Sequence, residues 1–538
     1  MLHMLDSPRS LPMILERDAR PKEDLTGRDR LVSNVLFSWA AHSVFIVSGF
    51  IMPRMIDRRL GQDLLGVWDF AWSLVSYFQL VRAAIGSSVN RYVAKYWAAG
   101  DASSLNRLVS SATLMLGLGG LLVMGLSVIA FMMLPQWFGH RLGENAREAQ
   151  WVVLFLGASL GVQISFSAFN GVLTGCHQWG LHNINTSGWY AATVTAMIVA
   201  LLLGCQLRAL ALINLVGEVL SSLRRIVLAY RVCPGLQVRP SLICWSTIKD
   251  LFYFGGKTLI PSISNLLLNQ TSSVLILAYI NPAALALYSR PRALIHHAAV
   301  LVNKMAMVLS PTASSLHSVG DMKEIRELVV KSTWYTLYLS LPLVLMLVVF
   351  GGPIVQVWMG PGYRPGLVCA VLAIGYLPYM VQLPTLNILA GLNAHGRPGV
   401  ARLITSIVSV GLNILVLGFL KWGLVGTALA VTVPLSILNL VDIPRVMSRR
   451  VGLTVRQYYL SAWVEPVVCM LPFTACLVSA RLVFHARPLL GLVVATLVGS
   501  VVLAVIYWRR VLPQRVRRKV LDVIQSGRRS AWGLISGR

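Results

Sequence analysis

Long apolar stretches recur along almost the whole chain, from about residue 31 to residue 508, and short polar segments separate them. A bilayer core about 30 Å thick requires about 20 apolar residues in each spanning helix. At that length the pattern predicts an all-α membrane protein with about fourteen transmembrane helices. The predicted spans lie near residues 31–53, 64–86, 108–134, 151–175, 184–204, 209–230, 251–280, 283–310, 332–358, 366–391, 400–420, 422–444, 460–480 and 488–508.

The composition excludes several classes of protein. Hydrophobic residues make up 56% of the chain and charged residues only 12%, and the mean hydropathy is +0.69. An ordinary soluble domain carries about 25% charged residues, so a soluble enzyme, a disordered chain and a disulfide scaffold are all excluded. The seven cysteines form no CxxC pair, which argues against zinc or iron–sulfur ligation. We expect no cofactor and no metal.

The positive charge is distributed unevenly between the predicted loops. The chain carries 47 Lys and Arg against 20 acidic residues, a formal charge of +27. About three times as many basic residues fall on the side of the N-terminus as on the other side, which predicts that both termini are cytoplasmic. The basic C-terminal tail fits either a helix on an anionic leaflet or a solvated topology signal. Nucleic acid is not an expected partner.

Two parts of the chain repeat each other. Gly100-Asp101 and Gly320-Asp321 are offset by 220 residues, and the Gly175/Gly180 pair matches Gly391/Gly396 at an offset of 216. The repeat unit contains six predicted spans, an even number, so both copies have the same orientation in the membrane. Parallel repeats of this kind are related by an axis along the membrane normal, and in transporters the substrate site lies between them. An alternating-access carrier requires such a duplication, whereas a channel or a membrane enzyme does not.

This repeat predicts two six-helix lobes in a parallel pseudo-twofold arrangement, followed by two further helices. The predicted divisions are a cytoplasmic N-terminal tail at 1–30, an N-lobe with helices 1–6 at 31–233, a C-lobe with helices 7–12 at 251–446, helices 13–14 at 460–508, and a basic cytoplasmic tail at 509–538.

Several cations lie inside predicted spans, where each costs roughly 2.5–3.5 kcal/mol at mid-helix. Arg82 shifted by 220 residues falls beside Lys304, so the two cations lie at matching depth in the two repeats. A surplus of fixed cations attracts anions, and phosphate binds well to both Arg and Lys. The alternative is that these side chains extend to the cytoplasmic interface and serve topology alone. The predicted substrate-binding residues are Arg82, Lys257, Arg290, His297 and Lys304.

The eighth predicted span carries two polar stripes. Arg290, His297 and Lys304 recur every seven residues and share one face of a helix, while Arg292, His296 and Asn303 lie on roughly the opposite side. Both stripes cannot face one cavity, and the alignment with Arg82 favours the first stripe.

Acidic residues inside the predicted spans are scarce: Asp69, Glu218 and Asp442. Asp69 is the one candidate for coupling transport to an ion gradient. It lies thirteen residues before Arg82 and points about 140° away from it on an ideal helix, so these two make a poor pair.

Several segments resemble a known family. Residues 60–68 (LGQDLLGVW), 90–96 (NRYVAKY) and Gly100-Asp101 resemble the front half of bacterial oligosaccharide flippases. These are the O-antigen and exopolysaccharide repeat-unit translocases of the multidrug/oligosaccharidyl-lipid/polysaccharide exporter superfamily. The second half is similar to the same family at 287–289 (LYS), 310–311 (SP), 320–321 (GD), 390–393 (AGLN), 396–397 (GR), Asn413 and 423–428 (GLVGTA).

The resemblance implies a transporter, not an enzyme, that moves a polyprenyl-pyrophosphate-linked oligosaccharide from the cytoplasmic to the periplasmic leaflet of the bacterial inner membrane. It implies that a basic cavity between the lobes holds the pyrophosphate and sugars while the prenyl tail stays in lipid. Membrane lipids, a polysaccharide polymerase and glycosyltransferases are candidate partners. A flippase for lipid-linked peptidoglycan precursors and a cation-coupled multidrug antiporter remain alternatives. The chain has no Walker A motif, which argues against ATP-driven pumping.

Overall fold

The computed structural model of the protein describes residues 31–83, 86–256 and 259–512, together with 514, 517 and 518. Over these residues the chain is helical and contains no strand. Nine helical stretches within them are long and apolar enough to cross a membrane. The predicted all-α membrane class is confirmed, and the number of fourteen spans stays a prediction. The predicted N-terminal tail and most of the basic C-terminal tail lie outside the described residues.

The helices follow the predicted apolar stretches. In the first half they are α1 (Leu31–Leu60), α2 (Gln62–Ser76), α3 (Leu80–Ala83), α4 (Gly86–Ala98), α5 (Ala102–Leu142), α6 (Ala146–Ser165), α7 (Ser167–Gly175), α8 (Trp179–Leu202) and α9 (Leu207–Val232). In the second half they are α10 (Trp245–Gly256), α11 (Leu259–Tyr279), α12 (Pro282–Ala306), α13 (Leu309–Ser318), α14 (Met322–Met359), α15 (Gly366–Gly391), α16 (Gly396–Ile414), α17 (Gly423–Ile437) and α18 (Ile443–Val451). The last helices are α19 (Val455–Ala462), α20 (Val464–Cys469), α21 (Leu471–Val483) and α22 (Pro488–Ile506).

The repeated Gly-Asp dipeptides form the same turn in both halves. Gly100 and Gly320 have positive φ angles of 68° and 76°, which glycine adopts without steric cost. The next residue then caps a long helix: the Asp101 Oδ1 accepts a hydrogen bond from the Ser104 amide at 3.0 Å, and the Asp321 Oδ1 accepts one from the Glu324 amide at 3.0 Å. This hydrogen bonding lowers the pKa of the Asp101 carboxyl. The sequence repeat is therefore also a structural one.

Helix packing follows one scheme in both halves. In the first half α1 packs on α8, α5 on α6 and α6 on α9; in the second half α11 packs on α16, α14 on α15 and α15 on α17. These helices correspond to each other at the repeat offsets. The four helices after α18 are appended to the second half, where α21 and α22 pack on α14. At this contact the Tyr507 hydroxyl donates to the Tyr338 carbonyl oxygen at 2.6 Å. The limits of the two predicted lobes stay a prediction.

The two halves meet mainly where α2 packs against α11 and α12. At the start of these helices the backbones approach closely, because a Cβ added at Gly66 would lie 1.9 Å from the Pro282 carbonyl oxygen. The Gln62 side chain donates to the Ala283 carbonyl oxygen at 3.4 Å in the same place. Glycine at position 66 is thus required by the contact between the halves.

Candidate functional site

A central cavity of about 400 Å³ lies between the two halves. Its walls come from α2 on one side and from α11, α12 and α15 on the other. Because the helices that surround it come from both repeats, the cavity occupies the position expected for the substrate site of a parallel-repeat transporter. The polar and charged residues that line it are Asp69, Ser73, Ser76, Asn265, Asn269, Gln270, Ser289, Arg290, Arg292, His296 and Tyr376.

An ion pair joins the halves at this cavity. The Arg290 guanidinium on α12 donates to the Asp69 carboxylate on α2. Their side chains are 4% and 16% exposed. Removing one partner of such a buried pair leaves an uncompensated charge, at a cost of about 3–5 kcal/mol. The pair therefore stabilises the contact between α2 and α12 strongly against loss of either member.

Aromatic side chains surround this ion pair and tie α1 to α14. The Arg290 guanidinium carbon lies 5.8 Å from the ring centre of Trp358, and the Trp358 indole nitrogen donates to the Phe50 carbonyl oxygen at 2.7 Å. Nearby, the Tyr363 hydroxyl donates to the Asp57 carboxylate at 2.7 Å. Together with the contact of Gly66 at Pro282, these interactions form what we call the closed end of the cavity.

The predicted anion-binding residues separate into distinct groups. Lys304 and His297 on α12 both lie within electrostatic range of His42 on α1, and the His297 ring stacks at 5.8 Å on Phe50. Arg82 on α3 instead interacts electrostatically with Glu218 and Arg225 of α9. Lys257 lies outside the described residues.

The two stripes of α12 face different parts of the molecule. In the first stripe Arg290 contacts α2 of the other half, and His297 contacts α1, where its Nε2 lies 3.7 Å from a Cβ built at Gly49. In the second stripe His296 and Asn303 line a chamber within the second half, and Arg292 donates to the Asn269 carbonyl oxygen. Arg290, Arg292 and His296 all line the central cavity as well. Both stripes therefore have a polar environment, which the choice of a single stripe from the sequence does not capture.

A buried ion pair in the first half has no role in the sequence interpretation. Arg225 on α9 is 3% exposed and its Nη2 lies 3.3 Å from the Glu218 Oε1. Gln163 donates to the other carboxylate oxygen at 3.4 Å. The seven-residue spacing of Glu218 and Arg225 places them on one helix face, so this spacing is a sequence signal that could reveal the pair.

The comparisons with known proteins agree with this architecture. A model of the family described as "Polysaccharide biosynthesis protein" matches residues 178–366. The chain is 24% identical over 432 residues to "Uncharacterized membrane protein EpsK" of Bacillus subtilis, covering 76% of this chain and 82% of that protein. It is 22% identical over 420 residues to the "Putative O-antigen transporter" of Shigella flexneri, covering 72% of this chain and 93% of that protein.

Two solved structures share the fold. The lipid II flippase MurJ in an inward closed conformation is similar with a TM-score of 0.65 and 14% identity, covering 89% of this chain and all of that one. A multidrug-resistance MATE family transporter of the MOP superfamily, in an inward-facing conformation, is similar with a TM-score of 0.66 and 13% identity, covering 76% of this chain and 95% of that one. The resemblance to polysaccharide flippases is thus confirmed, and the chain has the fold of MOP-superfamily transporters.

Proposed function

We propose that this protein is a flippase for a polyprenyl-pyrophosphate-linked oligosaccharide, which it moves from the cytoplasmic to the periplasmic leaflet for O-antigen or exopolysaccharide synthesis. The central cavity between two repeated halves, lined by cations and polar groups, carries this proposal. The likeness to the O-antigen transporter and to EpsK supports the substrate class. The protein is then a multi-pass protein of the bacterial inner membrane with both termini in the cytoplasm.

The distribution of basic loops assigns the two ends of the cavity. The closed end lies where α2 and α12 begin, on the side with few basic residues, so it faces the periplasm under the positive-inside rule. Lys304 lies near the other end of α12 and so near the cytoplasmic leaflet. In this state the pyrophosphate enters from the cytoplasm and meets Lys304, His297 and Arg82, with Lys257 adding to the positive charge.

The ion pair of Asp69 with Arg290 is proposed to act as the periplasmic gate. For the cavity to open outward α2 must separate from α12, so this pair must break. A proton or a cation that binds Asp69 would release Arg290, which gives Asp69 its role in coupling. The pyrophosphate supplies an alternative negative partner for Arg290, so the arrival of the substrate itself favours opening.

Transport in reconstituted vesicles tests the proposal. Purified protein is incorporated into liposomes that carry a fluorescent polyprenyl-diphospho-oligosaccharide, and impermeant periodate reports the fraction of sugar exposed on the outer surface. We expect the protein to accelerate the appearance of the sugar on the opposite leaflet at least tenfold over protein-free vesicles. Movement of the lipid-linked peptidoglycan precursor without the oligosaccharide lipid, or efflux of organic cations alone, would contradict the proposal and favour the corresponding alternative.

A further inference from the structure

The second half contains a chamber of about 190 Å³ that opens beside the central cavity and shares four residues with it, Asn265, Asn269, His296 and Tyr376. We call it the C-half chamber. Its remaining polar lining comes from Asn303 on α12, Tyr379 on α15 and Arg402 on α16. Arg292 adjoins the shared wall. The chamber is therefore rich in amides, phenols and cations, and within the described residues its lining contains no acid.

The first half contains a matching chamber of about 230 Å³, which we call the N-half chamber. Residues that line the two chambers correspond at the repeat offsets of 220 and 216, so the two chambers are equivalent places in the two halves. The corresponding pairs are Phe45 with Asn265, Trp72 with Arg292, Ser76 with His296, Leu160 with Tyr376, Gln163 with Tyr379 and Thr186 with Arg402.

The chemistry of the two chambers differs although their positions match. In the N-half chamber the cation Arg225 is neutralised by Glu218 at 3.3 Å. The residue nearest to the position of Glu218 in the C-half chamber is Leu435, at an offset of 217. At the other corresponding positions, apolar or neutral residues of the N-half chamber are replaced by Arg292, Arg402 and His296 in the C-half chamber. Only the C-half chamber therefore holds a local surplus of positive charge.

The position of Arg402 leaves hydrogen-bonding capacity for a ligand. Its guanidinium carbon lies 5.0 Å from the ring centre of Tyr379, and its Nη2 donates to the Asn265 side-chain oxygen at 3.5 Å. Its Nε is buried without a hydrogen-bond partner. A cation on an aromatic ring is oriented by that ring, and a planar guanidinium suits a carboxylate, which it can bind through two parallel hydrogen bonds.

We propose that the C-half chamber binds a carboxylate-bearing sugar of the lipid-linked oligosaccharide, with Arg402 as the main carboxylate-binding residue. This inference rests on the proposed function and specifies its substrate class. Asn265, Asn269, Asn303 and the two tyrosines supply donors and acceptors for sugar hydroxyls. The same cations could instead take the diphosphate of the substrate, so the test separates the two sources of negative charge.

The test uses two synthetic polyprenyl-diphospho-disaccharides that differ at one carbon: glucuronosyl-glucose carries a carboxylate where glucosyl-glucose carries a hydroxymethyl group. Both contain the same diphosphate and lipid. In proteoliposomes with the full chain, we expect the acidic substrate to move about tenfold faster than the neutral one, which is the factor expected for one charged hydrogen-bonded contact. Arg402→Gln should reduce this ratio to about one, and Arg402→Lys should give an intermediate ratio.

Thr186→Ala is the matched control, because Thr186 occupies the corresponding position in the N-half chamber, and it should keep the wild-type ratio. Equal rates of the two substrates with the wild-type protein would overturn this inference and leave the flippase proposal intact. A ratio that persists in Arg402→Gln while both rates fall would assign Arg402 to the diphosphate and also overturn it. Failure of the wild-type protein to move either lipid would overturn the proposed function itself.

Discussion

Asp69 and Arg290, which form the ion pair between α2 and α12, are separated by 221 residues, within one residue of the offset that relates the two repeats. They therefore occupy almost equivalent positions in the two halves and meet near the pseudo-twofold axis. Gln62 and Ala283, which also contact each other across the halves, have the same separation. The closed end is built from the same segment of each repeat, with an acid in one copy and a base in the other.

Removing the acid of this pair should open the closed end. In Asp69→Asn, Arg290 keeps its buried charge without a carboxylate, which costs about 3 kcal/mol in the closed state. In a cysteine-free background with Ser289→Cys, which places a thiol 6% exposed next to the pair, an impermeant maleimide added outside intact cells should label the thiol at least tenfold faster. The reversed pair Asp69→Arg with Arg290→Asp should restore protection. Unchanged labelling in Asp69→Asn would contradict the role of the pair as a gate.

Replacing two of the proposed pyrophosphate-binding cations should stop transport. We expect Arg82→Ala with Lys304→Ala to reduce polymer export to less than about a tenth of the wild-type level, because two charged contacts with the diphosphate are lost. The amount of protein in the membrane should not change, which immunoblotting of membrane fractions checks.

Lys331→Ala provides the control for this double variant, since Lys331 is 69% exposed and pairs at 2.8 Å with Glu327 on the surface. Its export should equal that of the wild type. Normal export in the double variant at normal protein level would remove Arg82 and Lys304 from the substrate site.

Two cysteines provide a test of the membrane topology. Cys244 precedes α10, and Cys205 lies between α8 and α9, at the opposite end of α9. With the predicted orientation, Cys244 is cytoplasmic and Cys205 periplasmic. An impermeant maleimide should therefore label Cys244 only in inverted vesicles and Cys205 only in intact cells, with Cys244→Ser and Cys205→Ser as the variants that identify each product. Labelling of Cys244 in intact cells would reverse the topology.

The labelling of Cys244 should also depend on pH. Hydrogen bonds, first of all from Ser246, lower the pKa of the Cys244 thiol to about 7. The thiolate is the reactive form, so reactivity rises as the pH increases through the pKa. From pH 6 to pH 8 the labelling rate in inverted vesicles should increase about tenfold, and Ser246→Ala should shift the profile to higher pH. A rate in wild-type protein that still rises steeply above pH 8 would show that the Ser246 hydrogen bond is not maintained.

The close approach of the halves at Gly66 predicts a specific effect on stability. Gly66→Ala places a Cβ 1.9 Å from the Pro282 carbonyl oxygen, so α2 must move away from α12. We expect the midpoint of thermal unfolding of the purified protein to fall by several degrees. Gly117→Ala on α5 is the matched control, because a Cβ there meets nothing within 4 Å and alanine favours the helix by about 1 kcal/mol. Equal midpoints for the two variants would contradict the tight contact.

The limits of sequence reasoning are clearest for Asp69. From the sequence this residue could be tested against Arg82 on the same helix, and the helix geometry rejects that pair. Its actual partner, Arg290, lies on another helix of the other repeat, and nothing local in the chain joins the two. The two stripes of α12 show the same limit, since helix periodicity separates their faces and leaves open what each face contacts.

The sequence alone determined the features that depend on local properties. Apolar stretches of sufficient length predict membrane helices because the bilayer sets one thickness for all of them, and the Gly-Asp turns of the repeat need only glycine's backbone freedom and an aspartate cap. Only the tertiary structure decided that Asp69 meets Arg290 and that Arg402 and Tyr379 share a chamber. Those contacts depend on how α2 docks on α12 and α16 beside α15, and a shift of one helix turn, about 5.4 Å, would replace each partner with another.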